Sequence, residues 1–301
     1  MSWYKEYKDE WKQIIEAISN DTNRNAFMIE KDTIQSMFLH RLSNKIPSIV
    51  FKGGTSLSKV YKLIDRFSED IDLSYPSKIT EGEKRNVYNV VMEIADELGL
   101  TLSNPDDVKS RYNYNKYVYK YESLFSPMPL EIIVETNFYL PVYPVINKEV
   151  SSMVNDYVIN NKLTMPIPFI EGSFNMSVQS LERTFIDKVF AVCDYILQNM
   201  EDRDSRHLYD IAKMMPHIDV NNELNSLFQK VRLERATSKN NPSAQPEHDI
   251  KAILQNIIDT RFYEPDYRNI TSKLLYDKMS YDDAINNGIK SFLLRCSNWK
   301  L

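Results

Sequence analysis

Two features lie within twenty residues of each other and could do phosphate chemistry. The stretch "FKGGTSLSK" (51–59) carries the only glycine pair in a chain with six glycines. A strand that ends in Gly53-Gly54 and opens a helix at Thr55 leaves backbone N–H groups pointing outward. The helix dipole adds partial positive charge there, which suits a phosphate. It is not a Walker A loop, because Ser58 and not glycine precedes Lys59, and no third glycine follows to complete a Rossmann fingerprint. The second feature is Asp70-Ile71-Asp72. On a strand, residues i and i+2 share a face. Ser68, Asp70 and Asp72 therefore stand side by side, while Ile71 and Leu73 face the other way. Two adjacent carboxylates repel each other, and a hard divalent cation between them relieves the repulsion.

The elements that must position these groups follow from the pattern. Residues 1–45 read as helical, with Phe27, Ile29, Ile34, Met37, Phe38 and Leu42 at helical spacing. "PSIVFKGG" is a short apolar strand, "TSLSKVYKLID" a helix capped by Thr55 or Ser56, and "SEDIDLSY" an alternating strand. "EGEKRNVYNVVMEIADELGL" is an amphipathic helix, and "SRYNYNKYVYKYESL" and "LEIIVETNFYL" are strands. In the last of these Glu131, Ile133, Glu135 and Asn137 share one face. If it lies beside the Asp70–Asp72 strand, Glu131 or Glu135 completes a three-carboxylate cluster, the layout of metal-assisted phosphoryl and nucleotidyl transfer. The proline-containing "LPVYPV" and "MPIPF" bracket a connecting region, roughly 140–170. From Ser180 onward the pattern is nearly all helical, and "ATSKNNPSAQPEHD" reads as an exposed loop.

Bulk properties narrow the function classes. The net charge of −5 means that a polyanion would have to meet a local basic patch on an acidic background. No apolar run approaches the roughly 18 residues of a membrane span, and acids and lysines interrupt the N-terminal stretch, so a cytoplasmic protein is expected. Cys193 and Cys296 have no metal or redox spacing and read as reduced, buried thiols.

Strand, Gly-Gly-Thr, helix and then D-x-D on the next strand is the arrangement of the polymerase-β-like nucleotidyltransferase superfamily. Within it, four stretches resemble the AbiEii/AbiGii toxin family of type IV toxin–antitoxin and abortive-infection systems. "KGGTSLSK" (52–59) is similar to its first motif and "RFSEDIDL" (66–73) to its Arg-x-Ser-x-Asp-x-Asp strand. "LERTFIDKVFAV" (181–192) is similar to its Glu-Lys or Asp-Lys helix, and "RHLYDI" (206–211) to its Arg-Asp-x-Tyr-Asp helix. The resemblance implies that Gly53, Gly54, Thr55 and Ser56 hold the triphosphate of an NTP, with Lys59 adding charge. It implies that Ser68, Asp70 and Asp72 sit at the metal, Mg²⁺ or Mn²⁺, and the reacting phosphate. Glu135 is then the better third carboxylate and Glu131 the weaker. Lys188 would neutralise the triphosphate or the leaving pyrophosphate, and Asp210 would orient Lys188 or touch the substrate. His207 stands where the family often has aspartate. Without the resemblance, Lys188 would pair with Asp187 or Glu182, and Asp210 with Arg206 four residues earlier.

The expected fold is α+β: a nucleotidyltransferase domain over 1–170, a mixed sheet with helices, then a mostly helical domain over 171–301, with the active site in the cleft between them. The expected reaction moves a nucleoside monophosphate from an NTP to an acceptor hydroxyl. The resemblance implies a toxin that modifies tRNA 3′ ends and so blocks translation, with a co-encoded antitoxin that need not touch it. Transfer to a protein or small-molecule hydroxyl and a non-catalytic NTP-binding regulator are the alternatives. "KSRYNYNKYVYK" (109–120) supplies an RNA surface in this reading: Lys109, Arg111, Lys116 and Lys120 for phosphates, and Tyr112, Tyr114, Tyr117 and Tyr119 for stacking. The same tyrosines would otherwise be a buried hairpin whose lysines guard its edge.

Overall fold

The computed structural model describes residues 6–66, 68, 70–200 and 204–300. Its chain divides into two units, residues 1–61 with 68–179 and residues 62–67 with 180–301.

The first unit is built on one mixed sheet. Its strands are β1 (Val50–Lys52), β2 (Asp70–Ser74), β3 (Thr101–Leu102), β4 (Tyr114–Tyr121), β5 (Leu130–Asn137), β6 (Val145–Val150) and β7 (Phe174–Gln179). They lie in the order β3-β4-β5-β2-β1-β7-β6. β2 runs parallel to β5 and antiparallel to β1, and β1 runs parallel to β7. Period-two alternation gives the sheet an apolar face. Phe51, Ile71, Leu73, Ile132, Val134, Met176 and Val178 point into the core, with Tyr117, Tyr119 and Tyr121 beside them. Helices α1 (Lys8–Thr22), α2 (Ala26–Lys45), α4 (Glu81–Glu97) and α5 (Met153–Asn160) supply much of the rest of that core. In α1 the buried positions Trp11, Ile14, Ile15 and Ile18 form one stripe. α4 starts in a capping box in which Thr80 and Glu83 satisfy each other's backbone N–H groups.

α2 is buried nearly all round, charges included, and buried charges must be paired. Glu30 accepts from Trp11 Nε1 at 3.1 Å and from Ser123. Asp32 accepts from the backbone N–H of Met153, the first residue of α5, at 2.7 Å, and from Lys59 Nζ at 2.5 Å. Lys59 closes α3 (Gly53–Lys59) and also donates to the carbonyl of Asp32 and to Ser36 Oγ. The expectation that Lys59 lends its charge to a bound phosphate is therefore corrected. Its side chain is 1% exposed and its ammonium pins α3 to α2.

The second unit is helical: α6 (Leu181–Leu197), α7 (Arg206–Met214), α8 (Asn222–Arg235) and α9 (Ile250–Thr260), then two helical runs. Each run contains a π-helical turn, Tyr267–Thr271 in one and Ile285–Lys290 in the other. Phe190 of α6 stacks on Phe228 of α8 at 4.8 Å between ring centroids, and Phe185 meets Phe292 edge-on. Cys193 and Cys296 are buried free thiols. Among the described residues no helix is long and apolar enough to cross a membrane.

Three stretches differ from the pattern reading, apart from residues 1–5 of the expected N-terminal helix, which lie outside the described residues. The helix expected through Asp65 stops at Lys59, and Lys62 adopts a left-handed φ of 54°. Residues 62–67 belong to the second unit. Tyr209 Oη accepts from Asp65 N–H at 3.0 Å, Tyr276 N–H donates to the Asp65 carbonyl, and Arg66 bridges to Leu275. Residues 171–179, placed with the helical part from sequence, lie in the first unit, with β7 pairing to β1 and β6. The loop after α8 is pinned and not free. Ser243 is fully buried, and its N–H and hydroxyl both donate to Asp194 Oδ1, at 2.8 and 2.6 Å.

Lys59→Ala leaves Asp32 buried without its cation and is expected to lower unfolding free energy by about 3–5 kcal/mol. Urea denaturation measures this. NTP affinity, determined where the variant is still folded, should not change. A selective loss of NTP affinity would return Lys59 to the phosphates.

Candidate active site

In the first unit the glycine turn and the acid strand are one construction. β1 delivers the chain to Gly53, which has φ +77°, in the left-handed region that favours glycine. A Cβ built on Gly53 would lie 1.9 Å from Asp72 Oδ2. The carboxylate of Asp72 thus occupies the space that any side chain at position 53 would need. Antiparallel pairing of Lys52 with Asp72 sets this register. Thr55 and Ser56 are buried. Thr55 Oγ1 donates to the Asp70 carbonyl at 2.5 Å and lies 2.8 Å from Ser68 Oγ, while Ser56 Oγ donates to the Gly53 carbonyl at 2.8 Å. Their hydroxyls brace the turn against the strand, which leaves backbone N–H groups as the turn's groups for an anion.

Alternation puts Asp70 and Asp72 on the sheet face opposite the core. The register then writes a row of four charges across four strands, Lys52 on β1, Asp72 on β2, Glu135 on β5 and Lys116 on β4. Directly paired side chains on adjacent strands stand about 5 Å apart at Cβ. Glu135 is thus brought beside Asp72, whereas Glu131 lies opposite Lys120 and beyond Ile133, the partner of Asp70. The Glu135 carboxylate is nevertheless drawn the other way. It pairs with Lys116 Nζ at 3.2 Å and bonds to the Tyr114 hydroxyl. Burial, and then the charges of Glu135, Asp72 and Asp70, push the Tyr114 hydroxyl well above its ordinary pKa. Among the described residues no three His, Cys, Asp or Glu side chains gather as a metal-ligand set. The donors that fit a hard cation are Asp70 and Asp72, since a small cation such as Mg²⁺ is commonly held by one or two carboxylates plus substrate phosphates.

Lys52 was missed from sequence. It sits inside the quoted "KGGTSLSK" motif, directly before the glycines, and only the strand register shows that it faces Asp72. The tyrosine-rich stretch is divided. Tyr117 and Tyr119 are each 1% exposed and stack on one another in the core, so they carry no base. Tyr112 and Tyr114 are exposed at 51% and 39%, and Lys109, Arg111, Lys116 and Lys120 are exposed as well.

The second unit holds a buried charge cluster. Lys188 projects from α6, and His207 and Asp210 from α7. Asp210 is fully buried. It accepts a two-pronged bond from Arg66, Nε at 2.7 Å and Nη2 at 2.8 Å, and an ion pair from Lys188 Nζ at 2.6 Å. Burial alone would raise the Asp210 carboxyl, but Arg66 and Lys188 hold it well below its usual range. Burial pulls the Lys188 ammonium down, opposed by Asp210 and aided by Arg66. Burial and then the charge of Lys188 push His207 down to about 4, and the neutral ring lies with Nδ1 3.2 Å from Lys188 Nζ, where it can accept. Nearby, Arg206 bonds Asp204 at 3.0 Å, and Arg183 pairs with Asp187 at 3.1 Å. Arg66 as the partner of Asp210 was also missed. Its signal was its place in the Arg-x-Ser-x-Asp-x-Asp stretch.

The family described as nucleotidyl transferase AbiEii toxin of type IV toxin–antitoxin systems matches residues 38–287. No curated protein matches the chain. Among solved structures, JHP933 from Helicobacter pylori superposes with a TM-score of 0.51 at 15% identity, over 90% of this chain and 92% of that one. MenT4, a nucleotidyltransferase toxin from Mycobacterium tuberculosis, superposes with a TM-score of 0.51 at 16% identity, over 93% of this chain and 89% of that one. At such identities the likeness is one of fold.

Gly53→Ala puts a methyl group into the Asp72 carboxylate and strains the backbone. It is expected to cost about 1–3 kcal/mol of stability in chemical denaturation and to abolish whatever activity Asp72 supports, while Gly54→Ala is tolerated better. His207 gives a pH signature. Its folded pKa lies below the unfolded value near 6.5, so the unfolded chain takes up a proton that the folded chain does not as pH falls from about 6.5 to 4. Stability should fall across that window by an amount on the order of 2–3 kcal/mol. His207→Gln, which keeps an acceptor for Lys188, should flatten that part of the profile in thermal melts against pH. An unchanged slope would place the titration elsewhere.

Proposed function

The chain belongs to the AbiEii family of nucleotidyltransferase toxins of type IV toxin–antitoxin systems, and from that premise we propose that it transfers a nucleoside monophosphate from an NTP to a hydroxyl of RNA, at the 3′ end of tRNA. A toxin of this kind comes with a co-encoded antitoxin. The observation that carries the reading is the close fit of Asp72 against Gly53. It joins a phosphate-binding turn to a carboxylate pair within one rigid piece of sheet.

Backbone N–H groups of Gly53, Gly54, Thr55 and Ser56 cradle the triphosphate. The positive charge expected from Lys59 comes from Lys52 instead, which faces Asp72 across β1 and β2. Asp70 and Asp72 would hold a divalent cation, Mg²⁺ or Mn²⁺, which when bound would polarise the α-phosphate and lower the cost of ionising the acceptor. Ser68, held by Thr55, faces the reacting phosphate. The acceptor 3′-oxygen attacks the α-phosphorus, the bond to the bridging oxygen breaks, and pyrophosphate leaves. The hydroxyl proton passes to the carboxylate pair. The family resemblance gives Lys188 the task of offsetting the negative charge that grows on the leaving pyrophosphate, where a fixed cation would favour the transition state over the ground state. Asp210 keeps Lys188 charged and aimed, and Arg66 keeps Asp210 from being overwhelmed by burial.

Glu135 enters this scheme as a positioning acid that spaces Asp72 from Lys116. It becomes a metal ligand only by releasing Lys116. Lys109, Arg111, Lys116 and Lys120, with Tyr112 and Tyr114, form the RNA-facing edge. A nucleotide added to the tRNA 3′ end removes the hydroxyl needed for aminoacylation. Translation and growth then stop in the cytoplasm, an outcome suited to abortive infection.

The test incubates purified protein with total tRNA, Mg²⁺ and each α-labelled NTP in turn, alongside Asp70→Asn and Asp72→Asn. Label on tRNA from one or two NTPs, reduced by roughly a hundredfold or more in both variants, is the expected result. If no NTP labels tRNA, the acceptor is not tRNA. Label on protein or on a small hydroxyl compound would then redirect the acceptor while keeping the transferase chemistry.

A further inference from the structure

An aromatic ring gains from burial, yet Tyr112, Tyr114 and Tyr139 of the first unit are exposed at 51%, 39% and 68%. They gather at one end of the β4–β5 pair. Tyr114 is paired with Asn137, the last residue of β5, and the next backbone bond runs from Phe138 N–H to the Asn113 carbonyl at 2.7 Å. Tyr112 and Tyr139 flank that bond in the chain.

The backbone that carries these rings is held from behind. Asn115 is buried and clamps the preceding turn to β4. Its Oδ1 accepts from Lys109 N–H at 2.8 Å, and its Nδ2 donates to the Lys109 carbonyl at 3.0 Å. Phe138 meets Tyr75 edge-on at 5.9 Å between ring centroids, and Val142 N–H donates to the Tyr75 carbonyl, so the chain on both sides of Tyr139 is anchored. Asn137 Oδ1 accepts from Tyr139 N–H at 3.2 Å. The Tyr114 hydroxyl bonds to Glu135, which Lys116 holds in turn. Rings mounted in this way lose little freedom when a ligand lies on them.

Position indicates what the rings would meet. Across this part of the sheet the strands run β1, β2, β5, β4. The Gly53 turn is on the β1 side of Asp72, whereas β4 lies on the other side, two strand spacings or about 10 Å from β2. Displacement at phosphorus is in line. Pyrophosphate that leaves toward the Gly53 turn therefore requires an attacking hydroxyl that enters from the side of β5 and β4. Lys109 and Arg111 precede Tyr112 there. Both are exposed, and neither is held in an ion pair among the described residues. Cations beside exposed rings suit a single strand, with its phosphates neutralised and its bases stacked.

We infer that Tyr112, Tyr114 and Tyr139 form the platform on which the 3′-terminal base of the acceptor RNA stacks, with Lys109 and Arg111 on the phosphates behind it. The inference rests on the transferase reading for the direction of attack. It deepens that reading by giving the RNA an orientation, 3′ end toward Asp72, and by adding Tyr139 to the RNA-facing edge.

The experiment uses the full chain without NTP or divalent cation, so its failure and the failure of the transferase reading are separate results. A short single-stranded RNA carries 2-aminopurine at its 3′ end, where stacking on a ring quenches the fluorescence. A second RNA carries it at the 5′ end. Tyr112→Ala and Tyr139→Ala are compared with Tyr112→Phe and Tyr139→Phe, which keep the ring. Met128→Ala is the control, an exposed side chain (69%) in the loop at the far end of the same strand pair. Thermal melts check that each variant is folded. Expected is quenching of the 3′ probe, with affinity about fivefold or more weaker in each alanine variant and unchanged in the phenylalanine variants and the control. Quenching of the 5′ probe alone would overturn the 3′-end assignment. An unquenched 3′ probe, or quenching unaltered in both alanine variants, would overturn the platform. Calorimetry with ATP and Mg²⁺ supplies the last arm: a loss of ATP affinity in the alanine variants with RNA binding unchanged would give the rings to the base of the NTP and overturn the inference.

Discussion

The Asp72 carboxylate rests where Gly53 has no side chain, and much of the first unit is arranged around that contact. It requires β1 and β2 to pair in one register, because a slip of one residue would turn Asp72 into the core and Leu73 out of it. It requires glycine at the strand end, for space and for a left-handed φ. It also explains why Thr55 and Ser56 are buried and turned inward: their hydroxyls hold the Asp70 carbonyl and the Gly53 carbonyl, which fixes the turn against the acid strand. A site that must place anionic phosphates beside anionic carboxylates gains from rigidity of this kind, since the charges cannot relax apart.

Pairing of buried charge is the second constraint, and it decides which lysines are available for chemistry. Two buried aspartates each collect a lysine. Asp32 takes Lys59 completely and anchors the start of α5 as well, so that lysine is structural. Asp210 takes Lys188 but shares itself with Arg66, so the cluster of two cations and one anion keeps a net positive charge. Removing any single member of such a cluster strands the others in low dielectric. His207 fits the same logic. A second carboxylate at that position would cancel the surplus charge, whereas a neutral imidazole accepts from Lys188 and leaves it intact.

Much of this was legible in the residues. The glycine pair, the D-x-D strand and the second-half helices were each recognisable, and together they pointed to the fold and the family. Period-two alternation correctly assigned Ile71 and Leu73 to the core and the acids to the opposite face. The rest was hidden for identifiable reasons. "KLID" has helical character, yet residues 62–66 leave α3, with Asp65 bonded to Tyr209 and Tyr276 and Arg66 to Asp210, partners more than a hundred residues away. β6 and β7 escaped notice because prolines nearby suggested a linker. Tyr117 and Tyr119 looked like Tyr114 in composition, and only the pleat of β4 separates buried from exposed.

By itself, then, the sequence determined which chemistry was present: a glycine turn for phosphate, adjacent carboxylates for a hard cation, and a lysine and an aspartate on later helices. Those are properties of residue type and local spacing, which hydrogen-bond geometry and period translate directly. The tertiary structure decided which charge meets which. It gave Lys59 to Asp32, Arg66 and Lys188 to Asp210, and Lys52 to the row with Asp72, Glu135 and Lys116. Charge pairing over long sequence separations is set by burial and strand register, and neither is encoded within any single stretch.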